Sequence, residues 1–280
     1  TLDLAERGRL AVKGLIEFLD PDENYDQYQI AFFNTNPPYM AHYNMEAGNQ
    51  GKIAKGIITN RLMSGSKEVL DKQAAMFQAI VRRINDQGIF YNDLNKGPWV
   101  PSITTEDQLS VNTAHVLDSF IDLYQVKPHP KLLEMIRFLA DGICSLAKYE
   151  EDYAYFTQVA PEEGESHIGV LGYWQQMFYH GKSLRTLSRT YDLTGDKKYL
   201  ELALKIRNLI MKPKHWQPEA APRVVVGHEH AQFAGHHHSY TSALMGLLTL
   251  ADVTGDPYLK EYVRAGYEYL RTFGIARIGL

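Results

Sequence analysis

The chain has 280 residues, 45% of them hydrophobic and 22% charged, which is enough apolar material for one large packed domain spanning 1–280. Acidic residues outnumber basic ones 33 to 29; with a net charge of −4 and no polybasic run, neither nucleic acid nor a membrane surface is an expected partner. One cysteine, Cys144, excludes an intrachain disulfide and a thiolate metal cluster, and no stretch approaches the ~20 apolar residues of a membrane span.

Helix dominates the chain in order. TLDLAERGRLAVKGLIEFLD carries apolar residues at 10, 12, 15, 16 and 19, close to the three-and-four spacing of an amphipathic helix. GKIAKGIITNRLM follows, less charged, and a breaker, MSGS, separates it from the charged amphipathic KEVLDKQAAMFQAIVRRIND. The same order then recurs three times. NTAHVLDSFIDLYQ, VKPHP and KLLEMIRFLADGICSLAKY form one unit; MFYHGKSLRTLSRTYDL, LTGD and KYLELALKIRNLIM form the next. YTSALMGLLTLADV, VTGDP and YLKEYVRAGYEYLRTF form the last. Cys144 lies in a charged helix and is expected to behave as a small buried hydrophobe.

Aligned on breakers at Gly65, Pro128, Gly195 and Gly255, the repeat is about 60–67 residues long, the mark of stacked helical hairpins. Before each breaker, small residues (Gly56, Ala114, Gly181, Ser183, Ala243, Gly246) interrupt the apolar ones. Packing on several sides needs such residues, so these are inner helices, and the charged helices after the breakers are outer ones. Gly ending a helix and Asp capping the next explain the TGD turns. The resulting fold class is all-α, an α/α toroid of helical hairpins. Four hairpins and an N-terminal helix amount to less than six units, so an incomplete (α/α)6 barrel is expected, lacking part of the ring.

Long aromatic connections enter the inner helices at roughly 20–50, 88–111, 149–172 and 212–238. Loops longer than about 15 residues tend to be functional, and in a toroid these emerge together at the N-terminal ends of the inner helices. Trp99, Trp174 and Trp216 lie in them or at the start of an inner helix. Flat rings stack on the C–H faces of sugars, while Asn, Gln, His and carboxylates meet the hydroxyls. Carbohydrate is therefore the expected partner. Glycoside hydrolysis needs two carboxyl groups flanking the bond. Glu46, Asp93, Glu165 and Glu229 are the candidates, with Glu106, Asp107, Glu162 and Glu163 as alternatives. Glu229 ranks first because His228 and His230 flank it and can tune its protonation. The glycines of GESHIG place Glu165 second.

His167, Trp174, His228, His230, His236, His237, His238, Tyr240 and Trp99 are expected to bind the sugar. His236, His237 and His238 are consecutive and would fan out about 100° apart on a helix, so they do not converge on one metal. No cofactor is expected; zinc at the His228/His230 region is the alternative. Phosphate loops and the G-x-S-x-G elbow are missing from the sequence. TLDLAERGRL lacks a hydrophobic signal core, leaving two locations open: periplasmic or secreted after leader removal, or cytoplasmic.

HSYTSALMGLLTLADVTGDPYLKEYVRAGYEYL and LRTLSRTYDLTGDKKYLELALKI resemble the six-hairpin glycosidase superfamily. The nearest resemblance is to the bacterial family of β-L-arabinofuranosidases, glycoside hydrolase family 127, and its relatives. The likeness implies a sugar-contacting role for His238 at the head of its inner helix; loop composition and the fold analogy together point to an exo-acting glycoside hydrolase. That family uses a cysteine nucleophile beside zinc-bound cysteines and a glutamate; with Cys144 alone, this chain departs from that mechanism. Two other readings fit the same toroid: a lyase or epimerase using His and Tyr bases, and a non-catalytic helical binding scaffold.

Overall fold

Helix boundaries follow capping chemistry written in the sequence. Asp3 accepts hydrogen bonds from the N–H groups of Ala5 and Glu6 at 2.9 and 3.1 Å and opens α1 (Leu4–Glu17), satisfying donors that a helix start leaves unpaired. The computed structural model describes residues 3–23, 25–28, 30–42, 48–67, 69–91, 106–156, 172–212, 216 and 237–271. Within them α1 is followed by α2 (Gly48–Ser64), α3 (Leu70–Val81), α4 (Glu106–Val126) and α5 (Pro130–Leu146). Then come α6 (Gly172–Thr194), α7 (Lys197–Ile210), α8 (His237–Thr254) and α9 (Pro257–Arg271). The alternation of inner and outer helices read from the repeat is the observed one.

Gly65, Gly195 and Gly255 end α2, α6 and α8 with φ of 66°, 69° and 72°, a region that strains residues bearing a Cβ. Asp196 then accepts from Lys198 N–H to start α7, and Asp256 from Leu259 N–H to start α9. The remaining turn uses different chemistry. His129 Nδ1 accepts from Lys131 N–H at 3.2 Å, and Pro130 occupies the first helical position, where its missing N–H leaves nothing unsatisfied.

The chain divides into two compact units, residues 1–104 with 112–145, and 105–111 with 146–280. In the first, α2 approaches α4 so closely that a Cβ on Gly51 would lie 2.5 Å from the carbonyl carbon and oxygen of His115. Ile57, Met76, Ile80, Leu117, Ile121, Ile136, Leu139 and Ile143 of this unit are fully buried. Phe77 and Phe120 meet edge to face at 5.0 Å. In the second unit α6 lies against α8. A Cβ on Gly181 would fall 2.7 Å from Ala243 Cα, and one on Gly246 would fall 2.5 Å from Gly181 O. Tyr199, Leu202, Ala203 and Ile206 bury the inner side of α7.

Three findings depart from the sequence reading. The connections carry short antiparallel hairpins: β1 (Leu19–Asp20) with β2 (Asp26–Gln27), β3 (Ile30–Phe32) with β4 (Tyr39–Ala41), and β5 (Lys148–Tyr149) with β6 (Ala154–Tyr155). Strands of two or three residues are too short to show alternation; what holds one is a cross-strand pair, Phe32 stacked on Tyr39 at 4.8 Å. Second, Cys144 is half-buried in α5 rather than buried. Third, α8 is not packed on all sides, since Met245 and Leu248 are 46% and 41% exposed.

Close helix contacts give opposite outcomes for the same substitution. Gly51→Ala and Gly246→Ala, each placing a methyl group on a neighbouring backbone, should lower stability by about 1–3 kcal/mol. Gly14→Ala, on α1 with nothing within 4 Å of the new methyl, should raise it by about 0.5–1 kcal/mol. Urea unfolding of the three variants checks this; a neutral Gly51→Ala would contradict the backbone contact.

Candidate active site

The expected site lies where connections enter inner helices. Glu46, Asp93, Trp99, Glu165, His167, His228, Glu229, His230 and His236 are outside the described residues, as are Glu162 and Glu163. The zinc alternative at His228 and His230 falls outside them too. Among the described residues no group of three or more His, Cys, Asp or Glu side chains is placed to hold a metal ion. Trp174 belongs to the first turn of α6, and Glu106 and Asp107 open α4.

His237 and His238 are described, and both are exposed at the head of α8. The His238 ring lies 5.0 Å from Phe178 of α6, with Lys182 Nζ 5.8 Å from the centre of that phenyl ring. The entrance to α8 thus presents an aromatic face, a cation and two imidazoles together. The His238 carbonyl is occupied, accepting from Thr241 and Ser242 at 3.0 and 2.8 Å. Helix N-termini favour negative charge, so this end of α8 suits an electron-rich ligand group.

Tyr240 points elsewhere. It is 1% exposed, with its ring 5.5 Å from Trp216. Trp216 in turn meets Tyr262 of α9 edge to face at 5.9 Å and donates its indole N–H to Ile210 O at 2.7 Å. Trp216 and Tyr240 form an aromatic joint linking the end of α7 to α8 and α9. Packing, not exposure, is what the structure gives Tyr240.

A second polar cluster gathers around the start of α2 in the first unit. His42 bridges Asp20 and the Gln27 carbonyl; Asp26, Arg83 and Gln50 complete it. His42 holds the Asp20 carboxyl below its usual range by hydrogen bonding, aided by Tyr28, and Asp20 in turn raises the Tyr28 hydroxyl. Nearby, Lys55 of α2 reaches Asp118 at 2.6 Å and Asp122 at 3.7 Å, two carboxylates one turn apart on α4. The lysine between them ties α2 to α4. Sequence reading missed both clusters. Asp20 and His42 lie 22 positions apart, and Asp26 and Arg83 57, so no local motif announces them. The density of acids in LDPDENYD was the signal available.

These elements define an α/α toroid of helical hairpins. No protein-family model matches the sequence, and no curated protein matches it. Among solved structures the chain is similar to a glycoside hydrolase family 76 mannosidase from Bacteroides thetaiotaomicron VPI-5482. The TM-score is 0.63 at 12% identity, covering 96% of this chain and 71% of that one. It is also similar to a family 76 glycoside hydrolase from a bovine Bacteroides thetaiotaomicron strain (TM-score 0.54, 17% identity, 81% of this chain and 48% of that one). A third similar structure is a D-mannose isomerase (TM-score 0.53, 15% identity, 80% and 58%). The chain therefore spans less than two thirds of the length of the last two. At these identities the likeness is one of fold. Family 127 is not singled out.

The aromatic joint has an alkaline signature. Burial, with Tyr258 nearby, pushes the Tyr262 hydroxyl up to about 12, and burial raises Tyr240 as well. An unperturbed tyrosine ionises near 10, so the unfolded chain loses these protons first. The stability they contribute is present below about pH 10 and lost as pH rises toward 12. Ultraviolet tyrosinate titration should show a late step that Tyr262→Phe reduces; ionisation of every tyrosine near pH 10 would contradict the packing.

Proposed function

We propose that this chain is an exo-acting glycoside hydrolase that trims terminal sugars from oligosaccharides or polysaccharides, mannose-configured sugars foremost. The observation that carries the reading is the fold shared with a family 76 mannosidase over 96% of the chain. Fold alone does not fix function, so the reading also leans on the aromatic and polar connections and on the exposed His237 and His238 beside Phe178. A carboxyl pair drawn from Glu46, Asp93, Glu165 and Glu229 performs the chemistry. One, protonated, gives its proton to the leaving oxygen; the other, ionised, attacks the anomeric carbon or activates water. Glu229 between His228 and His230 is the first choice for one of these roles, with Glu165 the second. His237 and His238 contact sugar hydroxyls.

A second reading is favoured by the exposed imidazoles and by the likeness to a D-mannose isomerase. Here His237 or His238 would act as a general base, removing a proton next to the sugar carbonyl. The two reactions leave different products from the same sugar. Hydrolysis frees mannose from a mannoside, isomerisation converts free mannose to a ketose of equal mass, and a lyase leaves an unsaturated uronide that absorbs ultraviolet light.

Assay on mannose-terminated oligosaccharides and on free mannose separates these readings. Hydrolysis is expected, with Glu229→Gln or Glu165→Gln lowering kcat by about 10²–10⁴-fold. Full activity in both variants would overturn the assignment of those carboxylates. Conversion of free mannose, abolished by His238→Ala, would replace the hydrolase with the isomerase.

A further inference from the structure

β1, β2 and the end of β4 converge on His42, and the ring is used on both sides. Nδ1 lies 2.8 Å from the carbonyl oxygen of Gln27, and Nε2 lies 2.9 Å from Asp20 Oδ2. Both oxygens are acceptors. A neutral imidazole has one N–H and one lone pair, so beside an ionised Asp20 it satisfies one contact and sets a lone pair against an oxygen at the other. The geometry closes with one extra proton shared by ring and carboxylate.

Neighbouring groups place that proton on the ring. Asp20 already accepts from the Asp22 N–H at 3.0 Å and from the Tyr28 hydroxyl, contacts that favour its ionised form. Asp26 Oδ2 stands 3.9 Å from Nδ1, and Tyr28 stacks on the ring at 4.7 Å. Arg83, after α3, is paired with Asp26, which also accepts from Gln50 of α2 at 3.1 Å. Two carboxylates and one guanidinium thus face His42, and a single imidazolium balances them. With both nitrogens engaged, the ring is unavailable as a base for substrate.

We propose that His42 and Asp20 form a proton-dependent clamp that fastens the end of β4 to the β1–β2 hairpin, on the segment leading into α2. The clamp is complete when the ring carries two protons. Removing either ring proton sets a lone pair against one of the two oxygens, so the contribution falls as pH rises. Opening of the β4 attachment should then increase by up to tenfold per pH unit.

Asp20→Asn discriminates this device from an ordinary surface ion pair. The asparagine amide can donate to a neutral Nε2 while Nδ1–H keeps the Gln27 carbonyl, so every contact is satisfied without the extra proton. Hydrogen exchange at 39–42 and 26–28 in the full chain, corrected for intrinsic rates between about pH 6 and 8, should slope in the native protein and be flat in Asp20→Asn. A flat native profile, or an unchanged slope in Asp20→Asn, overturns the clamp. Imidazole nitrogen NMR of the native protein, with His42 assigned by its loss in His42→Gln, provides a test that needs no Asp20 variant. Two protonated nitrogens near pH 6 are expected, and one bare nitrogen overturns the proposal.

Discussion

Where α2 passes α4, and again where α6 passes α8, no side chain separates the two backbones. A Cβ on Gly51, Gly181 or Gly246 would lie 2.5 to 2.7 Å from the partner helix, closer than real atoms come. Much else follows from this approach. Helices this close leave no room for bulky residues along the seam, so small and hydroxylated ones line it. Buried Ser188 and Thr190 and half-buried Thr194, all on α6, donate back to carbonyls one turn earlier at 2.7 to 2.8 Å. These three hydroxyls are therefore satisfied within their own helix. The charged helices take the remaining role of covering the outside.

This division of labour explains which parts of the molecule were legible in the sequence. Small residues at Gly181, Ala243 and Gly246, and the turns at Gly195 and Gly255, are local signals with one physical meaning each. They located inner helix, turn and outer helix to within a few residues. The start of α4 was placed too late because its first turn, beginning at Glu106, is polar and lacks apolar periodicity. The hairpins β1–β2 and β3–β4 were invisible because their strands are shorter than any period. The partial exposure of α8 was equally hidden, since Met245 and Leu248 read as ordinary core residues.

The site was less legible than the fold, for a related reason. Helical periodicity reports which face of an element is buried; it does not report which distant side chains meet. Asp20, His42, Asp26 and Arg83 come together from three parts of the first unit, and Trp216 finds Tyr240 and Tyr262 from beyond the end of α7. Tyr240 illustrates the limit well. Its position beside a histidine run suggested a ligand contact, whereas the ring turns inward to the Trp216 joint. The neighbouring His238 faces out beside Phe178. Two residues so near in sequence differ because side chains two positions apart on a helix point in different directions, His238 toward Phe178 of α6 and Tyr240 toward Trp216.

In the proposed function, sugar is recognised at the head of α8, beside His237, His238 and Phe178. A crystal structure of the protein with a bound mannose oligosaccharide tests this most directly. A terminal sugar ring contacting His237 or His238 and lying near Phe178 is expected, with at least one proposed carboxylate close to the glycosidic oxygen. A sugar seated on the outer helices, or an empty α8 entrance at saturating ligand, would contradict it.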